Sequence, residues 1–134
     1  MDIDFAFICD YAEVTKKINA LGVGFDRIYA PKLPARHPHF HLVAQLRFRL
    51  TEVGPKDMSV HLIDADGNDV VPPIKGNFEV RKPLPGLLHA LGRINVGFGN
   101  VEFKKYGDYS ISLVVQGTEI TSIAFAVTEP PTTG

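Results

Sequence analysis

Hydrophobic and polar residues alternate along most of this chain, which is the pattern of strands in a half-buried β-sheet. The clearest case is residues 40–50, where apolar Phe, Leu and Ala residues take the even positions. The odd positions carry His41, Val43, Gln45, Arg47 and Arg49. A slip of one residue would bury both arginines, so one face must lie in a core and the other must meet water. The segment therefore predicts a long antiparallel strand.

Shorter alternating segments cover much of the remaining sequence and are separated by Gly, Pro, Asn and Asp. Further strands are predicted at residues 3–11, 25–29, 58–63, 77–82, 93–103, 109–115 and 121–127. In the first of these, the odd positions from Ile3 to Tyr11 form an apolar face and the even positions a mixed one. Residues 17–21 fit a short strand or part of a helical turn. The strand is favoured, because a lone short helix is unstable without a packed face.

Two further segments are interpreted from features other than alternation, namely residues 83–92 and the start of the strand 109–115. Residues 83–92 form the longest irregular connection, and their leucines at helical spacing predict a loop with a single turn of helix over the core edge. Gly107-Asp108-Tyr109 opens the strand of residues 109–115. In immunoglobulin-like sandwiches a Tyr in this position ties the corner between two sheets by hydrogen-bonding to upstream backbone. Gly107 and Tyr109 are therefore interpreted as structural residues.

Together these features predict an all-β fold: a Greek-key antiparallel β-sandwich, immunoglobulin-like or C2-like, with seven to nine strands. The chain has no Trp and a single cysteine, so it lacks the core Trp and the disulfide of antibody domains. Its 134 residues suffice for one domain. We expect that domain at residues 1–128 and a flexible tail at residues 129–134, which contain two prolines and no apolar anchor.

Composition narrows the classes of function. The formal net charge of −1 gives no global attraction to nucleic acid or to an anionic membrane, so neither is expected as a partner. No apolar run approaches the roughly 20 residues that span a bilayer, and the N-terminus lacks the features of a signal peptide. Cys9 has no second cysteine with which to form a disulfide. A reducing cytoplasm is therefore the expected location.

The histidines of residues 36–41 are candidates for a metal site. His39 and His41 are two apart on the predicted strand, so their rings leave one face about 6.6 Å apart along the backbone and could share zinc or copper. His37 is the third candidate in this cluster. No carboxylate or cysteine neighbours the pair in sequence, and the alternative interpretation is a polar outer face. We favour the polar face, and no cofactor is expected.

Other chemistry has less support. Asp64, Asp66 and Asp69 could offer oxygen ligands to calcium, but the spacing of an EF-hand is not met and a tight turn explains them. Cys9 lies on an apolar face, as buried packing cysteines do, and no serine sits on a sharp elbow. No phosphate-binding loop precedes a helix. The sequence therefore favours a protein that is not an enzyme.

Three segments carry a resemblance to a known family: Phe7-Ile8-Cys9-Asp10-Tyr11-Ala12, residues 25–31 (Phe-Asp-Arg-Ile-Tyr-Ala-Pro) and Gly107-Asp108-Tyr109. They resemble a family of small uncharacterised bacterial and archaeal proteins, and the resemblance covers residues 5–120. It implies a β-sandwich and no established activity. Within the second segment, Asp26 and Arg27 point to opposite faces of a strand. Each is interpreted as tying a neighbouring loop, and the alternative is a recognition arginine at one end of the sandwich.

The resulting hypothesis is a non-enzymatic binding or scaffold module of a larger bacterial system, acting on a protein or ligand through its surface. The expected contact region is the sheet face around His39, His41, Arg47 and Arg49, or the proline-rich loops of residues 31–38 and 83–85. An unidentified protein is the expected partner, and a homodimer through an edge strand is a further option. The alternative function is a metal-binding protein, or a metal-dependent enzyme, that uses His39 and His41.

Overall fold

A computed structural model describes residues 1–131, and nearly all of its regular structure is β-strand. The prediction of an all-β fold is confirmed. A short 3-10 turn at Leu50–Glu52 is the one helical element among these residues. The strands are β1 (Asp2–Cys9), β2 (Tyr11–Val14), β3 (Ile18–Leu21), β4 (Arg27–Tyr29), β5 (Ala35–Arg49), β6 (Gly54–Asp64), β7 (Ile74–Val80), β8 (His89–Phe103), β9 (Gly107–Val115) and β10 (Thr118–Thr128).

The strands form two large sheets and a separate hairpin. One sheet has the order β1-β5-β8, the other has the order β4-β10-β9-β6-β7, and β2 pairs with β3. Strand β4 runs parallel to β10, and the other pairs are antiparallel. The ten strands of residues 1–131 exceed the seven to nine that the sequence predicts. The additional strand is β2, because the alternation pattern extends the preceding strand to Tyr11 and is ambiguous from Ala12 onward.

The inner faces of the two large sheets share one core. Phe40 on β5 and Phe125 on β10 have ring centroids 6.2 Å apart. At the C-terminal end of β8, the ring of Phe103 meets that of Tyr109 edge-on, with centroids 5.0 Å apart. These aromatic contacts join the three-stranded sheet to the five-stranded one, because each pair takes one ring from each sheet.

The side chains of β5 and β8 change faces part of the way along the pair. From Ala90 to Phe98 the buried residues of β8 are at even positions, whereas Val101 and Phe103 are at odd ones. Asn100, between them, has a φ of 51°. On β5 the same change falls at Pro38, since His37 pairs with Val101 and His39 with Gly99. A period-two pattern alone cannot reveal such a reversal, because it assumes a regular pleat.

Strand β1 shows a second departure from the period-two interpretation. Ile8, on the face interpreted as mixed, is buried in the core between the two large sheets. Cys9, on the apolar face, is buried on the opposite side of the sheet, beneath the β2–β3 hairpin. Both faces of this end of β1 are therefore covered. Ile8 packs in the core between the two large sheets, and Cys9 packs in the smaller cluster beneath the hairpin.

The long connection before β8 also differs from expectation. Residues 81–88 contain a turn but no helix, and β8 begins at His89. Leu84, Leu87 and Leu88 are exposed and do not cover the core edge. Of the predicted tail, residues 129–131 contain no strand, and residues 132–134 lie outside the described residues.

Tyr109 closes a short backbone turn at the start of β9. Its hydroxyl donates a hydrogen bond to the Lys105 carbonyl oxygen at 2.6 Å. Gly107 has a φ of 131°, a conformation that residues with a Cβ rarely adopt. Desolvation raises the pKa of the Tyr109 phenol, so the hydroxyl keeps its proton and its role as donor at neutral pH.

Replacing Tyr109 by Phe should lower the free energy of unfolding by about 1 kcal/mol, because the Lys105 carbonyl loses its partner while the ring packing is kept. The measurement is the midpoint and slope of urea denaturation. Tyr29→Phe is the matched control, since Tyr29 is 54% exposed and its hydroxyl makes no hydrogen bond that we find within residues 1–131. Equal midpoints for the two variants would contradict a stabilising role for the Tyr109 hydrogen bond.

Candidate binding surfaces

The outer face of the three-stranded sheet is one of the two kinds of contact region that the sequence predicted. The register aligns its side chains in rows across β1, β5 and β8. One row is Phe5, Gln45 and Arg93, and the next is Phe7, Val43 and Asn95. The rows that follow are Cys9, His41 and Gly97, then His39 and Gly99. The face is therefore polar along β5 and apolar along β1.

The β2–β3 hairpin covers the middle of this face. Ala12 of the hairpin packs with Cys9 and Val43 in a second buried cluster, to which Ile18 and Ala20 add their side chains. Cys9 and Val43 are both 0% exposed. Burial raises the pKa of the Cys9 thiol, so little thiolate forms at neutral pH. The part of the predicted contact face around Val43 is therefore an internal interface.

Polar residues of β5 and β8 hold the hairpin in place. The Asn95 side-chain amide donates to the Ala12 carbonyl at 3.1 Å, and the Arg93 guanidinium donates to the Lys16 carbonyl at 3.0 Å. His39 Nδ1 donates to the Asp10 carbonyl at 2.8 Å, since a carbonyl can only accept. The Asp10 carbonyl and two carbonyls of the hairpin thereby gain partners from the sheet beneath them.

His41 supports the same attachment. Its Nδ1 lies 2.9 Å from Asn95 Oδ1 and donates to it, because the amide nitrogen of Asn95 is already used by Ala12. The ring of Tyr11 meets the His41 ring edge-on at a centroid distance of 5.4 Å. His39 and His41 therefore share one face, as predicted, and both contact the connection or the hairpin above it.

The three candidate histidines are not brought together. His37 lies on the inner side of β5, with its ring centroid 5.7 Å from that of Phe40. Desolvation lowers the pKa of His37, so the neutral ring is favoured there. Within residues 1–131 no group of three His, Cys, Asp or Glu side chains is placed to hold a metal ion. The reversal at Pro38 is the reason that His37 separates from the pair.

Arg47 is occupied by an ion pair on the same face. Its guanidinium donates two hydrogen bonds to the Asp4 carboxylate, each 3.0 Å long, and Gln45 donates a third at 2.9 Å. Hydrogen bonds from Arg47 and then Gln45 lower the pKa of Asp4, so the carboxylate stays ionised. Arg49, in contrast, extends into solvent at the end of β5.

The remaining sequence candidates have mostly local contacts. Asp64 Oδ1 accepts hydrogen bonds from the backbone amides of Asp66 and Asn68, which is the arrangement of a strand-connecting turn. Lys105 Nζ lies 3.2 Å from an Asp66 oxygen. Asp26 accepts a backbone hydrogen bond from Ala126 at 2.9 Å. For the side chains of Asp26 and Arg27 we find no hydrogen bond or ion pair within the described part of the chain.

A group of exposed apolar residues lies at one end of the two packed sheets and includes residues 83–85, one of the proline-rich loops that the sequence predicted as a contact region. Arg49 pairs with His89, and Gly54 pairs with Val80, so the connections 50–53 and 81–88 lie at the same end. Five exposed apolar residues belong to these connections and form what we call the apolar end: Leu50, Val53, Leu84, Leu87 and Leu88. Leu84 and Leu88 are each 77% exposed, and Leu87 is 56% exposed.

The charges near the apolar end are mainly basic. Arg49, Arg81 and Lys82 are exposed at the ends of the same two connections. The carboxylate of Glu52 accepts a hydrogen bond from the Arg49 amide at 2.9 Å. The opposite end carries the Asp64–Asp69 turn and two exposed lysines, Lys104 and Lys105. The sequence signal for the apolar end is the segment 83–88, which reads Pro-Leu-Pro-Gly-Leu-Leu. Its prolines prevent the helix that would have buried the leucines.

The comparisons with known proteins establish a family. The chain belongs to the family of unknown function DUF6941, whose profile matches residues 4–128. The resemblance to an uncharacterised family is thereby confirmed. No curated protein matches the sequence. Within residues 1–131 no helix is long and apolar enough to cross a membrane.

Among solved structures, one similar chain is the alkylpurine DNA glycosylase AlkC of Pseudomonas fluorescens bound to DNA containing an abasic site analogue. The two share 13% sequence identity with a TM-score of 0.41. The alignment covers 92% of this chain and 30% of the glycosylase, so this chain spans under a third of that protein. A likeness this low carries no argument about fold or activity.

Replacing Asn95 by Ala should loosen the hairpin and expose Cys9, because the Ala12 carbonyl and His41 both lose a partner. We expect Cys9 to react with a thiol reagent on the order of fivefold faster, the effect of about 1 kcal/mol on local opening. Asn77→Ala, on an exposed position of β7, is the control. Identical thiol reaction rates for the two variants would show that Asn95 does not hold the hairpin.

Proposed function

We propose that this protein is an immunoglobulin-like β-sandwich that acts as a protein-binding module through its apolar end. Strand order supports the immunoglobulin-like assignment. The order β10-β9-β6-β7 matches the G-F-C-C′ sheet of such domains, and β1-β5-β8 matches their A, B and E strands. The Tyr109 hydrogen bond at the start of β9, the counterpart of strand F, is the corner expected of this class.

The observation that carries the proposed function is the exposure of Leu84, Leu87 and Leu88 within five residues. Single exposed leucines are normal on protein surfaces, but a contiguous apolar patch marks an interaction site. Each leucine that a partner buries contributes about 1.5–3 kcal/mol of transfer free energy. Three leucines on a short loop therefore offer apolar area that a pocket in a partner protein can bury.

The basic side chains around the patch indicate the chemistry of the partner. Arg81 and Lys82 immediately precede the leucine loop, and Arg49 lies across from it at the end of β5. A partner with an apolar pocket bordered by carboxylates would match both features. The charges at the border would raise the association rate and favour correct partners more than they would add affinity.

Catalysis has less support from the described residues. A Ser–His hydrogen bond joins Ser59 Oγ and His61 Nε2 at 2.9 Å on the outer face of the five-stranded sheet. Within residues 1–131 we find no carboxylate hydrogen-bonded to His61, so no third group orients the ring as a catalytic base requires. We propose a cytoplasmic location, which the free and buried Cys9 supports, since a reducing compartment keeps thiols unpaired.

A comparison of matched variants tests the proposed function. Tagged wild-type protein and a Leu84→Ser/Leu88→Ser variant are each used to capture proteins from lysate of the source organism, with quantitative mass spectrometry. Leu21→Ser/Val23→Ser is the control, since these residues are 68% and 55% exposed on a different surface. We expect a partner that wild type and control retain and that the loop variant loses at least tenfold, because two buried leucines are removed.

The charge contribution is checked with Arg81→Glu/Lys82→Glu, which should slow association with the same partner and reduce its dependence on salt. An unchanged set of captured proteins for all variants would contradict binding through the apolar end. Binding of the wild type to phosphatidylserine vesicles, lost in the loop variant, would assign the surface to a membrane and would likewise overturn the protein-binding proposal.

A further inference from the structure

Strand β8 forms one edge of the three-stranded sheet and is fifteen residues long. Within residues 1–131, β5 is its backbone partner, and we find no backbone hydrogen bond from its other side. A strand of this kind presents a row of free N–H and C=O groups to which another strand can bind.

Residues 93–99 are the accessible part of this edge. Before them, β7 of the other sheet lies beside β8, and a Cβ at Gly92 would meet the rings of Phe48 and Phe78 at 2.8 and 3.0 Å. After them, the positive φ of Asn100 bends the strand. From Arg93 to Gly99 the side chains alternate regularly between buried and outward positions, as a flat pairing edge requires.

The other sheet edges carry features that discourage pairing. Strand β1 has Asp2 and Asp4, with an irregular register between Ile3 and Phe5. Strand β7 has Lys75 and Glu79. Strand β4 has three residues and lies beside the end of β10, which itself has a register shift between Glu119 and Thr121. Charges, bulges and short strands are the known means of protecting an edge.

Residues 93–99 lack these means of protection. The segment has no proline, and Arg93 is its one charged residue. The guanidinium of Arg93 does not extend past the edge, because it donates to Gln45 at 3.0 Å and to the Lys16 carbonyl at 3.0 Å. Gly99 leaves the outward face of the segment open at its end, whereas a Cβ at Gly97 would meet the His41 ring at 3.2 Å.

We infer that this edge pairs with the same edge of a second copy, antiparallel, about a two-fold axis at Val96. Such an interface is self-complementary. It places Arg93 opposite Gly99 of the other copy, so no like charges meet. It also places Ile94 opposite Phe98 on the inward face, where both already belong to the core. The two three-stranded sheets then form one continuous six-stranded sheet.

The segment itself supports a second copy as the partner, because the register about Val96 pairs all of residues 93–99 with one another. Asn95 meets Gly97 in that register, and Val96 meets Val96. Like charges directly opposite each other are the main cost of self-pairing, and the pairing of Arg93 with Gly99 avoids it.

Charge substitutions at Gly99 test the register. A Cβ at Gly99 would have no heavy atom within 4 Å, so both Gly99→Lys and Gly99→Glu fit the folded chain. Sedimentation velocity from micromolar to millimolar protein should show a monomer–dimer equilibrium for wild type. Gly99→Lys should raise the dimer dissociation constant on the order of tenfold, because the two-fold axis places its charge opposite Arg93 twice. Gly99→Glu, of similar bulk, should retain or tighten the dimer.

A second measurement does not depend on these variants. Hydrogen exchange of the amides in residues 93–99 should slow as the protein concentration rises, whereas exchange in β7 should not change. A wild type that stays monomeric over the whole range would overturn the inference. Equal dimer dissociation constants for Gly99→Lys and Gly99→Glu would also overturn it, as would a dimer that only Leu84→Ser/Leu88→Ser dissociates.

Discussion

Strand β5 is buried along its inner face and at Val43 on its outer face, and the rest of the structure depends on this burial. On the inner side Phe40, Leu42 and Leu46 are completely buried against the five-stranded sheet. On the outer side Val43 is completely buried as well, beneath the β2–β3 hairpin. A central strand covered on two sides is held more firmly than one with a wet face, because apolar surface is removed from water on both.

The hairpin changes what the outer sheet face can do. Without it, His39, His41, Arg93 and Asn95 would form a polar surface open to ligands. With it, one ring nitrogen of each histidine, the Arg93 guanidinium and the Asn95 amide form hydrogen bonds with the hairpin, with the residue before it or with one another. Among the surfaces that the hairpin leaves uncovered are the ends of the two packed sheets and the sheet edges, where the leucine loop and β8 lie.

Several features could be predicted from local sequence because they depend on local chemistry. The alternation in residues 40–50 indicated the central strand, since burial of the arginines would be too costly. Gly107-Asp108-Tyr109 indicated a turn at which a glycine takes a positive φ and a tyrosine donates to nearby backbone. Proline-rich and Asp-Gly segments indicated strand ends. Proline restricts the backbone to few conformations and glycine permits additional ones, so both act within a few positions of the chain.

The sequence by itself determined the β class, most strand positions and the turns, because period-two alternation and turn chemistry act over a few residues. Tertiary structure alone decided which face of each strand met which core. The reversal at Pro38 and Asn100 separated His37 from His39 and His41. The hairpin covers part of a sheet face that the alternation pattern predicted to be exposed to water. Such outcomes depend on contacts between residues far apart in the chain, as between Ala12 and Val43, and no local pattern encodes them.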